Sequence, residues 1–130
     1  MIGLVLVAHA RLASELLKAA EMIVGPIPQA EAVGIEPGDG GDFILNGITD
    51  ALKRLGGSGA IIMTDMFGGT PSNLSLSFLE DNRIEVLSGV NLPMVMEFAL
   101  KRERMAVAQL AASLRECGRE SISVAGDFLK

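Results

Sequence analysis

Residues 4–9 read LVLVAH, four branched aliphatic residues and an alanine that lead into the only histidine of the chain. A short continuous apolar run of this kind is typical of a strand that is buried on both faces, as in a parallel sheet. From Arg11 onward the apolar residues recur at helical spacing, and Gly25 with Pro26 ends that pattern. The stretch therefore predicts a buried strand followed by a helix, with His9 at the carboxyl end of the strand.

The remainder of the chain repeats this alternation. Further strands are predicted at 32–36, 59–64 and 83–89, and helices after Asp42, near Pro71, after 90–93 and over 106–116. Strands that alternate with helices indicate an α/β fold with a mostly parallel, doubly wound sheet, for which we expect the order 2-1-3-4. The last segment, SISVAG at 121–126, alternates polar and apolar residues and so predicts an edge strand with one face in water.

The composition limits the kinds of partner. A length of 130 residues suits a single domain, 1–130. The net charge of −5 disfavours nucleic-acid binding, which needs clustered Lys and Arg. The densest basic cluster, KRER at 101–104, is interpreted as a solvated helix end. No apolar run reaches the ~18 residues of a membrane helix and no signal-peptide pattern is visible, so we expect no direct membrane insertion.

The cysteine and histidine counts limit the chemistry. Cys117 is the single cysteine, which excludes an internal disulfide and a cysteine-based zinc site and fits a reducing cytoplasm. It is interpreted as a small structural residue near a helix end. One histidine cannot form a metal-binding cluster, so we expect neither a metal nor a cofactor.

The segment DMFGGTPSN, residues 65–73, follows the third predicted strand and leads into a helix. Thr70 occupies the expected N-cap position, and Gly68 and Gly69 allow a ligand to approach the backbone closely. Free N–H groups and the positive end of the helix dipole attract anions, to which the hydroxyls of Thr70 and Ser72 would add donors. The segment is neither a P-loop nor a GxGxxG fingerprint, and on its own it predicts no more than a well-capped turn.

The position of this segment in the predicted fold suggests a function. Strands one and three are neighbours in the order 2-1-3-4, and ligands of such sheets bind outside the carboxyl ends, where the winding direction reverses. His9 ends strand one and Asp65 follows strand three, so an imidazole, a carboxylate and an anion-binding loop should meet there. Asp65 would fix the tautomer of the ring through one nitrogen, and the other nitrogen would attack a phosphoryl group. The loop N–H groups would stabilise the transferred charge.

With LVLVAH, TDMFGGTPSN and VLSGVNLPM, the chain resembles the IIA component of the mannose family of the bacterial phosphotransferase system over nearly its whole length. The resemblance implies a flavodoxin-like fold, phosphoryl acceptance from the phosphocarrier HPr, and transfer to a IIB component for sugar uptake or regulation. It implies His9 as the phosphoacceptor and Asp65 as its orienting partner. The residues that match the phosphate-facing loop are Gly68, Gly69, Thr70 and Ser72. Asn91 and Pro93 match a loop with a shaping role.

The resemblance also implies an assembly. Members of this family are commonly homodimers that exchange a C-terminal antiparallel strand, and SISVAG at 121–126 is the matching segment here. The chain departs from the family pattern at Ala10, where a glycine often follows the histidine. Met66 and Phe67 stand where sugar-transporting members often have Thr and Trp, which leaves the identity of the IIB partner open. Arg11 would either contact phosphate or a partner, or be the first solvated residue of the helix.

Other classes of protein with the same fold have sequence requirements that this chain does not meet. A receiver domain needs an acidic pair after strand one, where this chain reads AHAR, and a flavin-binding protein needs aromatic rings, whereas the chain has no Trp or Tyr. The phosphotransfer subunit that serves dihydroxyacetone kinase has a loop closer to D-M-G-S-A. A regulatory phosphoacceptor or binding module without sugar transport is the alternative that the residues leave open.

Overall fold

The computed structural model describes residues 1–130 and contains one four-stranded sheet in which all neighbours are parallel. The strands are β1 (Gly3–His9), β2 (Ala30–Ile35), β3 (Ala60–Thr64) and β4 (Ile84–Ser88). The helices are α1 (Leu12–Val24), α2 (Gly41–Leu55), α3 (Thr70–Ser75), α4 (Leu92–Lys101) and α5 (Val107–Glu120), with short 3₁₀ turns at Leu76–Phe78 and Ala125–Leu129. The strand order is β2-β1-β3-β4, which confirms the predicted doubly wound α/β fold.

The apolar run of β1 serves two cores at once. Successive side chains of a strand point to opposite faces, so Leu4 and Leu6 pack with α1, α4 and α5 on one face of the sheet. Val5 and Val7 pack with α2 on the other face. Six residues of β1 are buried and only His9, the last, is exposed. A strand buried on both faces therefore ends by placing its one polar side chain at the surface.

The C-terminal segment pairs with no strand of its own chain, so its exchange with a second copy stays a prediction. α5 ends at Glu120, and the chain continues without regular structure into the 3₁₀ turn at Ala125–Leu129. Its apolar side chains are exposed, Ile122 by 75% and Val124 by 65%. Alternation of polar and apolar residues predicts an extended segment with two unlike faces, but a strand also needs a partner edge, and this segment pairs with none in its own chain.

Smaller differences concern helix starts. Gly40, not Asp42, is the N-cap of α2. Asp42 lies in the first turn, where its negative charge interacts favourably with the helix dipole. Gly69, not Thr70, is the N-cap of α3, so Thr70 is its first residue. None of the five helices has both the length and the apolar character that a membrane crossing requires.

The basic cluster at 101–104 is only partly exposed, which corrects the prediction of a solvated helix end. Arg102 is 4% exposed, and its guanidinium donates to the backbone carbonyls of Ile2, Pro28 and Gln29 at the amino end of the sheet. It also lies over the ring of Phe98, 4.7 Å from the centroid. Only its neighbours Glu103 and Arg104 are exposed, so the predicted solvated helix end contains one structural cation.

Candidate functional site

His9 and Asp65 meet at the carboxyl edge of the sheet. The β1–β3 register pairs Val7 with Thr64, which brings the residues that follow each strand side by side. Asp65 Oδ2 accepts a hydrogen bond from the backbone N–H of His9 at 3.0 Å and lies 2.7 Å from His9 Nδ1. The predicted pair is therefore formed, and one carboxylate oxygen holds both the backbone and the ring of the histidine.

This pairing sets the state of both groups. Burial by itself raises the pKa of Asp65, but the hydrogen bonds from the His9 backbone and ring, with the attraction of that ring, outweigh it and hold the pKa below its ordinary value. An ionised carboxylate only accepts, so Nδ1 carries the proton and Nε2 carries the lone pair. The His9 side chain is 49% exposed, whereas that of Asp65 is 12% exposed. The ring thus has one nitrogen fixed from below and one available to a ligand.

The loop between β3 and α3 passes beside the His9 ring at Gly69 and leaves backbone donors without partners. The N–H groups of Gly68, Gly69 and Thr70 donate no hydrogen bond within the chain. Gly68 has φ of 85°, a backbone conformation that residues with a side chain rarely adopt. A Cβ added at Gly69 would lie 3.4 Å from His9 Cε1 and 3.2 Å from Met66 Cγ. Consecutive unpaired N–H groups beside an exposed imidazole form a concave anion-binding surface.

Thr70 and Ser72 differ in their placement. Thr70 is exposed on the first turn of α3, on the side of the loop. Ser72 is fully buried, and its hydroxyl lies 3.1 Å from Ser88 Oγ in the interior. The structure corrects the expectation for the Ser72 side chain, because a hydroxyl under the helix cannot meet a ligand above the loop. Ser88 was missed by the sequence reasoning, although a polar residue that ends a strand at this edge was a usable signal.

The loop after β4 is fixed from two sides. The carbonyl of Thr64 accepts hydrogen bonds from Gly89 and Val90, each at 3.0 Å. Asn91 caps α4 by accepting from Met94 at 3.2 Å and also donates to the carbonyl of Gly118 at 3.0 Å. The predicted shaping role of Asn91 therefore has a structural basis: its amide ties the loop to α4 and α5.

Residues next to His9 complete the description of this edge. Ala10 has φ of 52°, a left-handed conformation that costs an alanine about 1–2 kcal/mol. Glycine, which the family resembled by this chain often has at that position, adopts the conformation without this cost. Arg11 is the exposed N-cap residue of α1 and pairs with no carboxylate. Cys117 lies on α5, where burial raises the pKa of its thiol and Sγ is 3.7 Å from the carbonyl of Pro93. The thiol is therefore protonated at neutral pH, in line with its structural interpretation.

The arrangement pairs a half-exposed imidazole with a shielded carboxylate beside free backbone N–H groups. An imidazole held by a carboxylate through one nitrogen, together with backbone donors for an anion, is a combination that can carry out group transfer to histidine. No three side chains of His, Cys, Asp or Glu lie together as a metal site. Fold and site together define a doubly wound α/β protein with a histidine–aspartate pair at its switch point.

Comparisons with known proteins identify the family. The family model described as PTS system fructose IIA component matches residues 3–115. The chain is 32% identical to the sorbose-specific EIIA component of Lacticaseibacillus casei over 118 residues, which is 90% of this chain and 86% of that protein. It is 30% identical to the fructose-specific EIIA component of Bacillus subtilis over 132 residues, which is 100% of this chain and 90% of that protein.

A solved structure agrees with these relatives. The EIIA component from Streptococcus agalactiae superposes with a TM-score of 0.89 at 27% identity and covers 98% of this chain and 99% of its own. The chain belongs to the family of PTS IIA components, the EIIA-man family, and so to the proteins of the sugar phosphotransferase system.

Proposed function

We propose that this protein accepts a phosphoryl group from phospho-HPr on Nε2 of His9 and passes it to a IIB component. In the first step a bond forms between phosphorus and Nε2 while the phosphorus–nitrogen bond of the donor histidine breaks. The second step reverses the roles, with the acceptor of IIB as the new nucleophile. No free phosphate is formed, because the group moves directly from one nucleophile to the next.

The observation that carries the proposal is the distance of 2.7 Å between His9 Nδ1 and Asp65 Oδ2. It leaves Nε2 as the nucleophile, and it keeps a negative charge against the ring as the ring becomes positive during attack. Asp65 is shielded from water more than His9 is, which strengthens this interaction over one in bulk solvent.

The loop supplies the other half of the chemistry. The unpaired N–H groups of Gly68, Gly69 and Thr70 would donate to the phosphoryl oxygens, and Thr70 is exposed at the start of α3. Donors that are fixed before the reaction stabilise developing charge without reorganisation at the moment of transfer. The Ser72 hydroxyl has no part in this contact, since it is buried against Ser88.

The test follows the phosphoryl group through the chain. Incubation with phosphoenolpyruvate, enzyme I and HPr should add one acid-labile phosphoryl group to the intact mass, and a IIB component from the same organism should remove it. Absence of any gain with matched carriers would overturn the proposal. Uptake without discharge to any IIB component would support the alternative, a regulatory phosphoacceptor without a role in transport.

We further propose that two copies pair through their C-terminal segments. Apart from an isolated bridge between its first residue, Ile84, and Glu80, β4 pairs only with β3, so the rest of its outer edge is open to a further strand. A cleft of about 600 Å³ runs along this edge between β4 and α5, lined mostly by apolar groups. The segment after Glu120 exposes Ile122, Val124, Phe128 and Leu129, which matches such a groove. An extended segment of a second copy, antiparallel to β4, would cover both surfaces.

The mass of the protein in solution tests whether two copies pair. Light scattering should give twice the chain mass of 13.7 kDa. Val124→Lys should give a single chain, since an ammonium is unfavourable against the apolar part of the cleft and is repelled by Arg115 and Arg119 in its lining. Met22→Lys is the matched control, because Met22 is 88% exposed on α1, and its variant should stay dimeric. A wild-type protein of single-chain mass at the same concentration would contradict the proposal.

A further inference from the structure

Three hydroxyl side chains meet beneath the loop that faces His9. Thr64 Oγ1 donates to Ser88 Oγ at 3.0 Å, and Ser88 Oγ lies 3.1 Å from Ser72 Oγ. Thr64 and Ser72 are both fully buried. The three residues come from the end of β3, the end of β4 and the first turns of α3. Ser88 is the hub, since it bonds to both of the others.

Each partner of Ser88 is attached to a part of the candidate site. Thr64 directly precedes Asp65, and its carbonyl also holds the loop after β4 through Gly89 and Val90. Ser72 lies two residues after Thr70, on the helix whose start presents the unpaired N–H groups. The Ser88 hydroxyl therefore links the residue beside the carboxylate to the helix that carries the anion-binding backbone.

The start of α3 has no side-chain cap of its own. The helix is six residues long, and its position depends on packing of Pro71 and Leu74 and on the buried hydroxyl of Ser72. A helix of that length is not stable by itself and depends on tertiary contacts. Buried hydroxyls without partners are unfavourable, so a hydrogen bond from Ser72 to Ser88 favours one position of the helix over others.

We propose that Ser88 is a positioning residue of phosphoryl transfer, which acts through Ser72 and Thr64 to fix the N–H groups of Gly68, Gly69 and Thr70 relative to His9. This inference rests on the proposed function. It assigns to Ser88 no contact with the phosphoryl group. Its effect is on geometry: without the hub hydroxyl, α3 and its leading loop occupy a wider range of positions, and the N–H groups meet the transferred oxygens less often.

The test measures transfer rates from phospho-HPr for Ser88→Ala and Ser72→Ala. Either variant should lower kcat by about tenfold, since small displacements of positioned groups reduce rates by such factors. KM for phospho-HPr should stay unchanged, because the exposed surface around His9 is untouched. The double variant should be no slower than Ser88→Ala alone, since Ser88→Ala already removes the bond that Ser72→Ala breaks. Ser88→Thr keeps the hydroxyl and should restore the rate.

Ser75 provides the matched control on the same helix. It is fully buried, and its hydroxyl has no hydrogen-bond partner, so Ser75→Ala removes a buried hydroxyl from α3 without breaking the link. An equal loss of rate in Ser75→Ala would overturn the proposal, as would an unchanged rate in Ser72→Ala. Ser72→Ala leaves the bond between Thr64 and Ser88 in place, which makes it the decisive variant if Ser88→Ala does not fold.

A second readout needs no phosphoryl donor. The amide ¹⁵N and ¹H resonances of Gly68 and Gly69 should shift or broaden in Ser88→Ala and Ser72→Ala and remain in place in Ser75→Ala. Unmoved resonances in all three variants would overturn the positioning role even if the wild type takes up phosphate. If the wild type takes up none while the resonances move as expected, the proposed function fails and the link itself stands.

Discussion

His9→Ala should take up no phosphoryl group under conditions in which the wild type is fully loaded. The side chain is the only imidazole in the chain, and its Nε2 is the atom that attacks phosphorus in the proposed transfer. The fold should be unaffected, since the ring is 49% exposed and only the residues before it are buried. Intact-mass spectrometry and the unfolding midpoint of both proteins check the two statements.

Asp65→Asn removes the negative charge of the side chain that pairs with His9. Asparagine keeps the size of the side chain and one oxygen that can accept from Nδ1, but it removes the charge that stabilises the ring during attack. We expect uptake to slow by about 10²–10³-fold and to remain measurable, as for the loss of one preorganised electrostatic group. Asp42→Asn removes an exposed carboxylate from the first turn of α2 and should leave the rate unchanged.

Two outcomes would contradict this account. Loading of His9→Ala to the wild-type level would assign the phosphoryl group to another residue. An equal loss of rate in Asp42→Asn and Asp65→Asn would assign the effect to net charge at this edge, and the pairing at 2.7 Å would lose its special role.

The sheet order and the pair at its edge were predictable from residues alone. An apolar run that ends in one polar residue specifies a buried strand and its exposed end, and strand–helix alternation specifies which ends are neighbours. His9 and Asp65 follow from those two rules together. The direction of side chains on α3 does not follow from them, because a six-residue helix is too short to show a period. The Ser72 hydroxyl was therefore expected at the ligand, whereas it is buried beneath the helix.

The prediction for the basic cluster was wrong for another reason, and the strand at 121–126 stays a prediction for the same reason. Both depend on what lies next to the residues in space, which composition does not give. The alternation at 121–126 required a partner edge that the chain itself does not provide. The KRER cluster contains a residue whose three carbonyl partners are about 70–100 positions away along the chain, so no local pattern could distinguish Arg102 from its exposed neighbours.

Arg102→Met should lower the free energy of unfolding by about 3–5 kcal/mol, the largest stability change that we expect from one substitution here. The guanidinium donates to Ile2, Pro28 and Gln29. Its loss removes the side-chain donor of the Ile2 and Pro28 carbonyls, at about 1–3 kcal/mol each, whereas the Gln29 carbonyl still accepts from the Leu4 N–H. Methionine retains much of the apolar stem, so the loss reports on the donors. Burial lowers the pKa of Arg102, yet guanidinium remains charged at any pH at which the protein folds.

Lysine and a neighbouring arginine test whether charge or geometry is responsible. Arg102→Lys keeps the charge, but a point-like ammonium cannot reach three carbonyls as the planar fork does, so it should recover only a minor part of the loss. Arg104→Ala removes an exposed charge from the same cluster and should change the free energy of unfolding by less than about 0.5 kcal/mol. Urea unfolding of the four proteins gives these values. Full recovery by lysine would mean that the positive charge, and not the fork of donors, stabilises the amino end of the sheet.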